Sequence, residues 1–186
     1  MTQSLTGRLL IAMPTIGDAR FKRSVILVCA HSEDYAMGLV LNKPMEDLSL
    51  PELLDQLDIE QTIAVPDRFV LDGGPVGNDR GFVLHSGDYQ CDGATMDVTE
   101  DVCLTATRDV LHAIASGPAP RTSILALGYS GWGPGQLEME LQENAWLIGQ
   151  PDDMILFGDD HDAKWARALD LIGVSSGRLQ SAPGRA

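Results

Sequence analysis

A chain of 186 residues, 44% hydrophobic and 22% charged, has the composition of one globular domain and is long enough to bury a core. Its 27 acidic residues outnumber its 13 basic ones, so the formal net charge is −14. This charge argues against direct binding to nucleic acids or anionic membranes, because basic side chains supply most of the affinity for phosphate. The cysteines lack a disulfide pattern, and neither a signal peptide nor a membrane span stands out, which predicts a cytoplasmic protein.

Strands dominate the predictions for the first third of the chain. Apolar, β-branched runs cover residues 8–13, 24–31 and 37–42, and a short polar turn separates the last two. Two such runs joined by a short loop predict an antiparallel hairpin. Ser49 and Glu52 then fit a capping box, which predicts a helix that begins at Ser49 and carries leucines on one face.

The remainder of the chain mixes strands with helices. Further strands are predicted at residues 69–71, 82–85, 95–98, 123–128, 146–148 and 154–157, and helices from Thr105 or Thr107 to Ser116, at 135–141 and at 162–172. This order favours an α+β fold, a mixed and largely antiparallel sheet with flanking helices, in a single domain over residues 1–186. Whether the sheet closes into a barrel-like form is left open. The core is expected at about residues 5–173, and residues 175–186 are expected to form a flexible tail.

Several short motifs occur in a fixed order along the chain. They are Leu10–Pro14, Phe21 with Ser24 and Val25, Met37–Pro44, Gly73–Val76, Gly81–Ser86, Ala126–Gly133 and Gly135–Glu138, followed by Asn144 with Trp146 and by Trp165 with Ala168. Together they resemble the bacterial YqgE/AlgH family from about residue 5 to residue 173. The resemblance implies a cytosolic α+β protein with no established activity and no agreed catalytic residues. Some members of that family are named as transcriptional regulators.

The segment from Gly128 to Gln136 is the strongest candidate for a binding loop. Its glycines permit a ligand to approach the backbone, and Tyr129 and Trp132 could flank a planar group. The alternative is that the glycines shape a tight crossover while Trp132 packs in the core. Ser130 fits a nucleophile poorly, because the G-x-S-x-G pattern requires glycine where the chain has Trp132.

A second candidate is the turn at Gly73 and Gly74, which together with Arg80 could recognise a phosphate or carboxylate. The alternative is a simple turn between two strands. The tentative ligand-binding set therefore comprises Gly73, Gly74, Arg80, His85, Tyr129, Ser130, Trp132 and Gly133.

Cys29 and His31 lie two residues apart on a predicted strand, so their side chains are expected to share a face. An imidazole beside a thiol can generate a reactive thiolate, although Cys29 could equally be a small core residue. His85 ends another strand and could converge with His31. The spacing of these residues matches no zinc motif, so neither a metal site nor a cofactor is predicted.

The leading functional hypothesis is a non-enzymatic regulatory or adaptor domain that binds a protein partner or a small molecule. One alternative is a hydrolase or a thiol-dependent enzyme centred on residues 128–136. The other is a regulator that binds DNA directly, which the net charge disfavours.

Overall fold

A sheet of ten strands organises the molecule, in a computed structural model that describes residues 3–179. In chain order the strands are β1 (Leu9–Ala12), β2 (Val25–His31), β3 (Ala36–Val40), β4 (Pro44–Ser49), β5 (Phe69–Asp72), β6 (Val76–Ser86), β7 (Thr95–Asp97), β8 (Val102–Thr105), β9 (Ser123–Trp132) and β10 (Trp146–Gly149). Eight of them follow the order β10-β1-β2-β3-β9-β6-β8-β7, while β4 pairs with β5, which joins β9. The sheet is largely antiparallel and curls into a half-barrel, which confirms the predicted α+β fold.

Helices flank this sheet. They are α1 (Leu50–Gln56), α2 (Arg108–Ser116), α3 (Gln136–Gln142), α4 (Asp153–Phe157), α5 (Lys164–Leu171) and α6 (Ser176–Leu179), with 3-10 turns at Ala19–Phe21 and His161–Ala163. The predicted capping box of α1 is confirmed, since Ser49 N donates to Glu52 Oε2 at 2.8 Å and Glu52 N donates to Ser49 Oγ at 3.4 Å. Within the described part of the chain, no helix combines the length and apolarity needed to cross a membrane.

Strand β9 is the axis of the sheet. One of its edges pairs with β6, from Ser123 to Tyr129. The other edge pairs first with β5, in parallel at Ala126 and Leu127, and then with β3 at residues 130–132. The change of partner falls at Gly128, where a φ of +74° places the backbone in the left-handed region that glycine tolerates best.

Alternate side chains of the strands pack on opposite faces of the sheet. On one face, here called the α5 face, the strands pack against Ile155 and Leu156 of α4 and Trp165 and Leu169 of α5. The opposite face is covered by two separate groups. The leucines and valines of α1 and α2 cover β5, β6 and β9, and Leu137 of α3 packs with the strands near Trp132 and Trp146.

Three segments differ from the sequence-based predictions. Residues 154–157 form helix α4 rather than a strand, because Asp152 Oδ1 accepts a hydrogen bond from Ile155 N and caps a helical turn. The short apolar run was compatible with either state. Strands β4 and β8 were not predicted, and β9 extends to Trp132, so most of the predicted loop at residues 128–136 is strand. Of the predicted tail, residues 176–179 are helical and residues 180–186 lie outside the described part of the chain.

Helix α5 fastens one end of the half-barrel through two side chains. Trp165 Nε1 donates to Ala12 O at 2.9 Å, and Lys164 Nζ donates to Leu41 O at the same distance. Lys164 is only 1% exposed, and this burial, assisted by the positive charge of Arg68, lowers its pKa to about 7. The folded protein therefore holds a charged ammonium group in its core only below pH about 7.

We expect Lys164 to make the free energy of unfolding rise with pH. Above pH about 7 the folded protein releases the Lys164 proton, whereas the unfolded chain keeps it up to about pH 10.4, so raising the pH favours the folded state. The Lys164→Met variant should lack this slope, which is at most about 1.4 kcal/mol per pH unit.

Urea unfolding between about pH 7 and about pH 8.5 measures the effect. Higher pH is unsuitable because burial raises the pKa of the Cys29 thiol to about 12, and this contribution has the opposite sign. Lys22→Met, at an exposed lysine, serves as the control and should keep the wild-type slope. Equal slopes for wild type and Lys164→Met would show that Lys164 does not titrate in this range.

Candidate functional site

The half-barrel is open at the end opposite to α5. Helix α5 contacts the end that contains Ala12 and Leu41, whereas Ala36 of β3 and Trp132 of β9 lie at the other end of their strands. An open cleft of about 610 Å³ occupies that other end, and no helical residue of the described part of the chain lines it. This cleft is called the open-end cleft below.

The lining of the open-end cleft is mainly aromatic and aliphatic. Its larger side chains are Tyr35, Met37, Val76, Phe82, Met96, Tyr129 and Trp132, and the small residues Ala30, Ala36 and Gly131 complete it together with Arg80. Three of these apolar residues are unusually accessible: Tyr35 is 53% exposed, Val76 40% and Met96 37%. Exposed apolar side chains gathered in one concave surface mark a binding site more often than scattered ones do.

Among residues 3–179, Arg80 is the only charged residue that lines the open-end cleft. Its guanidinium carbon lies 5.6 Å from the ring centroid of Phe82, so the aromatic face orients it. Within residues 3–179 no carboxylate lies within ion-pairing distance of Arg80. Its charge is therefore available to a ligand.

Two glycines allow the connection between β5 and β6 to pass close to β9, next to the cleft residue Tyr129. A Cβ on Gly74 would lie 2.2 Å from the carbonyl carbon of Tyr129, and one on Gly128 would lie 2.6 Å from Gly74 O. The chain can pass from β5 to β6 across β9 only because both positions lack side chains. A ligand was expected to approach these glycines, but the group in contact with them in the structure is the protein's own backbone.

Trp132 and Trp146 are held by a single carboxylate. Their Nε1 atoms donate to Glu140 Oε2 at 2.9 and 2.8 Å, and their ring centroids lie 6.3 Å apart in an edge-to-face arrangement. Charge-assisted bonds of this kind fix the ring orientation. The end of the cleft formed by Trp132 is thus rigid.

The structure brings together some of the predicted site residues. Arg80, Tyr129 and Trp132 line the open-end cleft. Gly73 and Gly74 do not line it but contact β9 beside Gly128 and Tyr129, and the buried Ser130 donates its hydroxyl to Gly73 O at 3.3 Å. Ser130 is thus occupied as a donor within the fold rather than presented to solvent.

Gly133 and His85 lie outside the cleft. Gly133 follows β9, and its amide donates to Gln136 Oε1 at 3.1 Å at the start of α3. His85 is fully buried, where its Nδ1 donates to Ser86 O at 2.8 Å and its Nε2 accepts from Thr105 Oγ1 at 2.7 Å. Both ring nitrogens are therefore used inside the protein.

The expectation that Cys29 and His31 share a face is wrong. A β-bulge between Val28 and Ala30 adds one residue to β2 and reverses the alternation of side chains beyond it. Cys29 packs in the α5-face core, whereas His31 Nε2 lies 2.7 Å from Glu138 Oε1 of α3 on the opposite face. The imidazole therefore cannot activate this thiol.

Some cleft residues were not anticipated. Met37 and Phe82 resemble ordinary strand core in the sequence, and Tyr35, Val76 and Met96 lie in or beside turns. The signal that could have found them is the presence of bulky apolar residues at positions flanked by polar turn residues. Across residues 3–179, no group of three or more His, Cys, Asp or Glu side chains is arranged to hold a metal ion.

We expect Cys29 to be unreactive in the folded protein. It is 1% exposed, and burial raises its pKa to about 12; burial also raises the pKa of Cys103, to about 11. Only Cys91 is partly accessible. Near neutral pH, Ellman's reagent should therefore modify one thiol within minutes, and all three only after unfolding in urea.

Two variants assign the reacting thiol. Cys91→Ser should abolish the rapid reaction, and Cys29→Ser should leave it unchanged. Loss of the rapid phase in Cys29→Ser would instead restore the hypothesis of a reactive thiol.

Comparison with known proteins agrees with the fold and the motif order. The AlgH-like family matches residues 9–177. A UPF0301 protein of Caulobacter vibrioides is 52% identical over 183 residues, covering 98% of this chain and 94% of its own. One of Bradyrhizobium diazoefficiens is 52% identical over 189 residues, covering 98% and 88%.

Two solved structures are also similar. The solution structure of AlgH from Pseudomonas aeruginosa has a TM-score of 0.77 and 39% identity, with both chains covered completely. A crystal structure of a protein from Corynebacterium diphtheriae has a TM-score of 0.70 over 90% of this chain and 87% of its own, and at 18% identity it supports the fold alone. The chain therefore belongs to the AlgH-like family, whose UPF0301 members include the two relatives above.

Proposed function

We propose that this protein is a non-catalytic regulatory or adaptor domain that binds a partner protein in the open-end cleft. The observation that carries the proposal is the concave group of exposed apolar side chains, Tyr35, Val76 and Met96, beside the rigid aromatic wall of Trp132. Aromatic and methionine side chains are enriched at protein interfaces. Such a surface suits an apolar anchor side chain of a partner.

The charge distribution indicates which kind of partner segment would fit the cleft. Arg80 supplies one positive charge at an apolar surface of a chain whose net charge is −14, and it has no ion pair within residues 3–179. A partner segment with an aromatic or aliphatic anchor next to an Asp or Glu would satisfy both features. A charge pair across an interface chiefly contributes orientation and specificity, while the apolar anchor side chain supplies most of the binding affinity.

The other functional hypotheses find less support in the geometry. Ser130 and Cys29 are buried, Ser130 bonds to Gly73 O, and His31 lies on the opposite face from Cys29. A DNA-binding role would require a basic surface. The only compact basic run contains Arg20, which pairs with Asp18 at 2.7 Å, and Arg23, whose guanidinium carbon lies 4.6 Å from the Trp165 ring centroid.

We expect substitutions in the cleft to remove partner binding without unfolding the protein. Tagged wild-type protein is compared with Met96→Ser and Tyr35→Ser as baits in quantitative affinity capture from bacterial lysate. Because both side chains are exposed, neither substitution should lower the thermal midpoint appreciably. The captured amount of a partner that binds through the cleft should be at least about tenfold lower with each of these two variants than with wild type, as expected for loss of an interface anchor.

Two controls define the outcome. Met154→Ser changes a methionine that is 58% exposed on α4, away from the cleft, and should capture the same proteins as wild type. Arg80→Glu should also lose the partner, whereas Arg80→Lys, which keeps the charge, should retain most of it. If all baits capture the same proteins in equal amounts, the cleft is not the binding surface.

A further inference from the structure

His31, at the end of β2, connects three separate parts of the chain. Its side chain is only 4% exposed. Leu5 N, in the segment that precedes β1, donates to its Nδ1 atom at 3.0 Å, and its Nε2 atom lies 2.7 Å from Glu138 Oε1 of α3. The ring therefore joins β2 and α3 to residues 4–7, which are called the leading segment below.

The two neighbours of the ring define its protonation state. A backbone amide can only donate, so Nδ1 must offer its lone pair to Leu5 N. Hydrogen bonding by His31 lowers the pKa of the Glu138 carboxyl, which is therefore ionised near neutral pH and accepts the Nε2 proton. These contacts together require a neutral imidazole that carries its single proton on Nε2.

A second proton on the ring is compatible with only one of these contacts. A proton on Nδ1 turns the acceptor into a donor that faces the Leu5 amide, so the bond between them has to break. An amide without an acceptor is unfavourable in this partly buried position, and Leu5 N has to move toward water. The contact with Glu138 remains and becomes a charge-assisted ion pair.

The two contacts therefore compete for the protonation state of His31. The Glu138 carboxylate favours the charged ring, whereas the Leu5 amide favours the neutral ring. Among residues 3–179, no other group hydrogen-bonds to the ring nitrogens. The remaining ionisable residues on the adjoining segments and on α3 are Arg8, Glu33, Asp34, Tyr35, Glu140 and Glu143.

The bond to His31 is the main polar attachment of residues 4–6. Within the described part of the chain, it is their only hydrogen bond to a distant segment, since their other bonds are to close neighbours in the sequence. Leu5 adds an apolar contact, with its side chain partly buried against the cluster beside α3. Gly7 is held independently, because its amide donates to Val28 O at 2.8 Å. Loss of the His31 bond therefore frees residues 4–6 but not Gly7.

We propose that His31 is a proton-sensitive clasp, which holds the leading segment while its ring is neutral and releases residues 4–6 when the ring takes up a second proton. Histidine side chains in general change charge between about pH 5 and pH 8. The released state binds one more proton than the closed state, so its population rises as the pH falls. Release exposes Leu5 and the apolar surface that it covers.

NMR titration of the full chain from about pH 8 to about pH 5 tests the clasp. At the upper pH the imidazole nitrogen shifts of His31 should show a proton on Nε2 alone, and at the lower pH a proton on both nitrogens. The hydrogen-exchange protection factor of the Leu5 amide, which corrects for the intrinsic effect of pH, should fall at least about tenfold over the same range. The Gly7 amide should keep its protection. Constant protection of Leu5, or a ring that stays neutral to about pH 5, would overturn the proposal.

Three variants separate the clasp from other effects of pH. Glu138→Gln keeps an acceptor for Nε2 but removes the charge that favours the second proton, so the loss of Leu5 protection should shift to lower pH. His31→Asn cannot take up the proton, so Leu5 protection should no longer depend on pH. His112→Asn, at an exposed histidine of α2, is the matched control and should titrate like wild type.

The variants can also contradict the clasp. Wild-type pH dependence of Leu5 protection in His31→Asn would show that a different group releases the segment. An unshifted transition in Glu138→Gln would show that the carboxylate does not compete for the ring. These measurements need no partner protein, so the clasp and the proposed partner binding can fail separately.

Discussion

The contact between two glycine backbones determines the architecture of this protein. Gly128 of β9 and Gly74, between β5 and β6, approach so closely that neither could carry a Cβ without a contact under 3 Å to backbone atoms. At this crossing β9 exchanges β5 for β3 along one edge while it keeps β6 along the other. The half-barrel and both of its ends follow from that exchange, since β9 is the strand that connects the two halves of the sheet.

The two ends of the half-barrel differ in whether a helix covers them. At one end Trp165 and Lys164 of α5 donate hydrogen bonds to the carbonyls of Ala12 and Leu41. These bonds fix the strand ends, although burying the Lys164 ammonium group costs desolvation free energy. At the other end no helical residue lines the cleft, and apolar side chains remain accessible. One end of the half-barrel is therefore covered by a helix, and the other presents apolar side chains to solvent.

Most polar side chains that suggest chemistry are used to hold the structure. His85 joins Ser86 to Thr105, His31 lies against Glu138, and Glu140 accepts both tryptophan indoles. Buried polar groups need such partners, and a group that already has them is less available to a substrate.

Much of this architecture was predictable from local patterns, because strand alternation, the Ser49–Glu52 capping box and the helix stripes depend on neighbouring residues. The ordered motifs also identified the family from the sequence alone. The prediction of a strand at residues 154–157 is wrong because four apolar residues in a row do not distinguish the periodicity of a helix from that of a strand. The cap at Asp152 favours the helix. The grouping of Arg80, Tyr129 and Trp132 was foreseen only as separate candidates. Their convergence with Tyr35 and Met96, and the separation of Cys29 from His31 by a one-residue bulge, depend on strand pairing between distant segments, which only the tertiary structure decides.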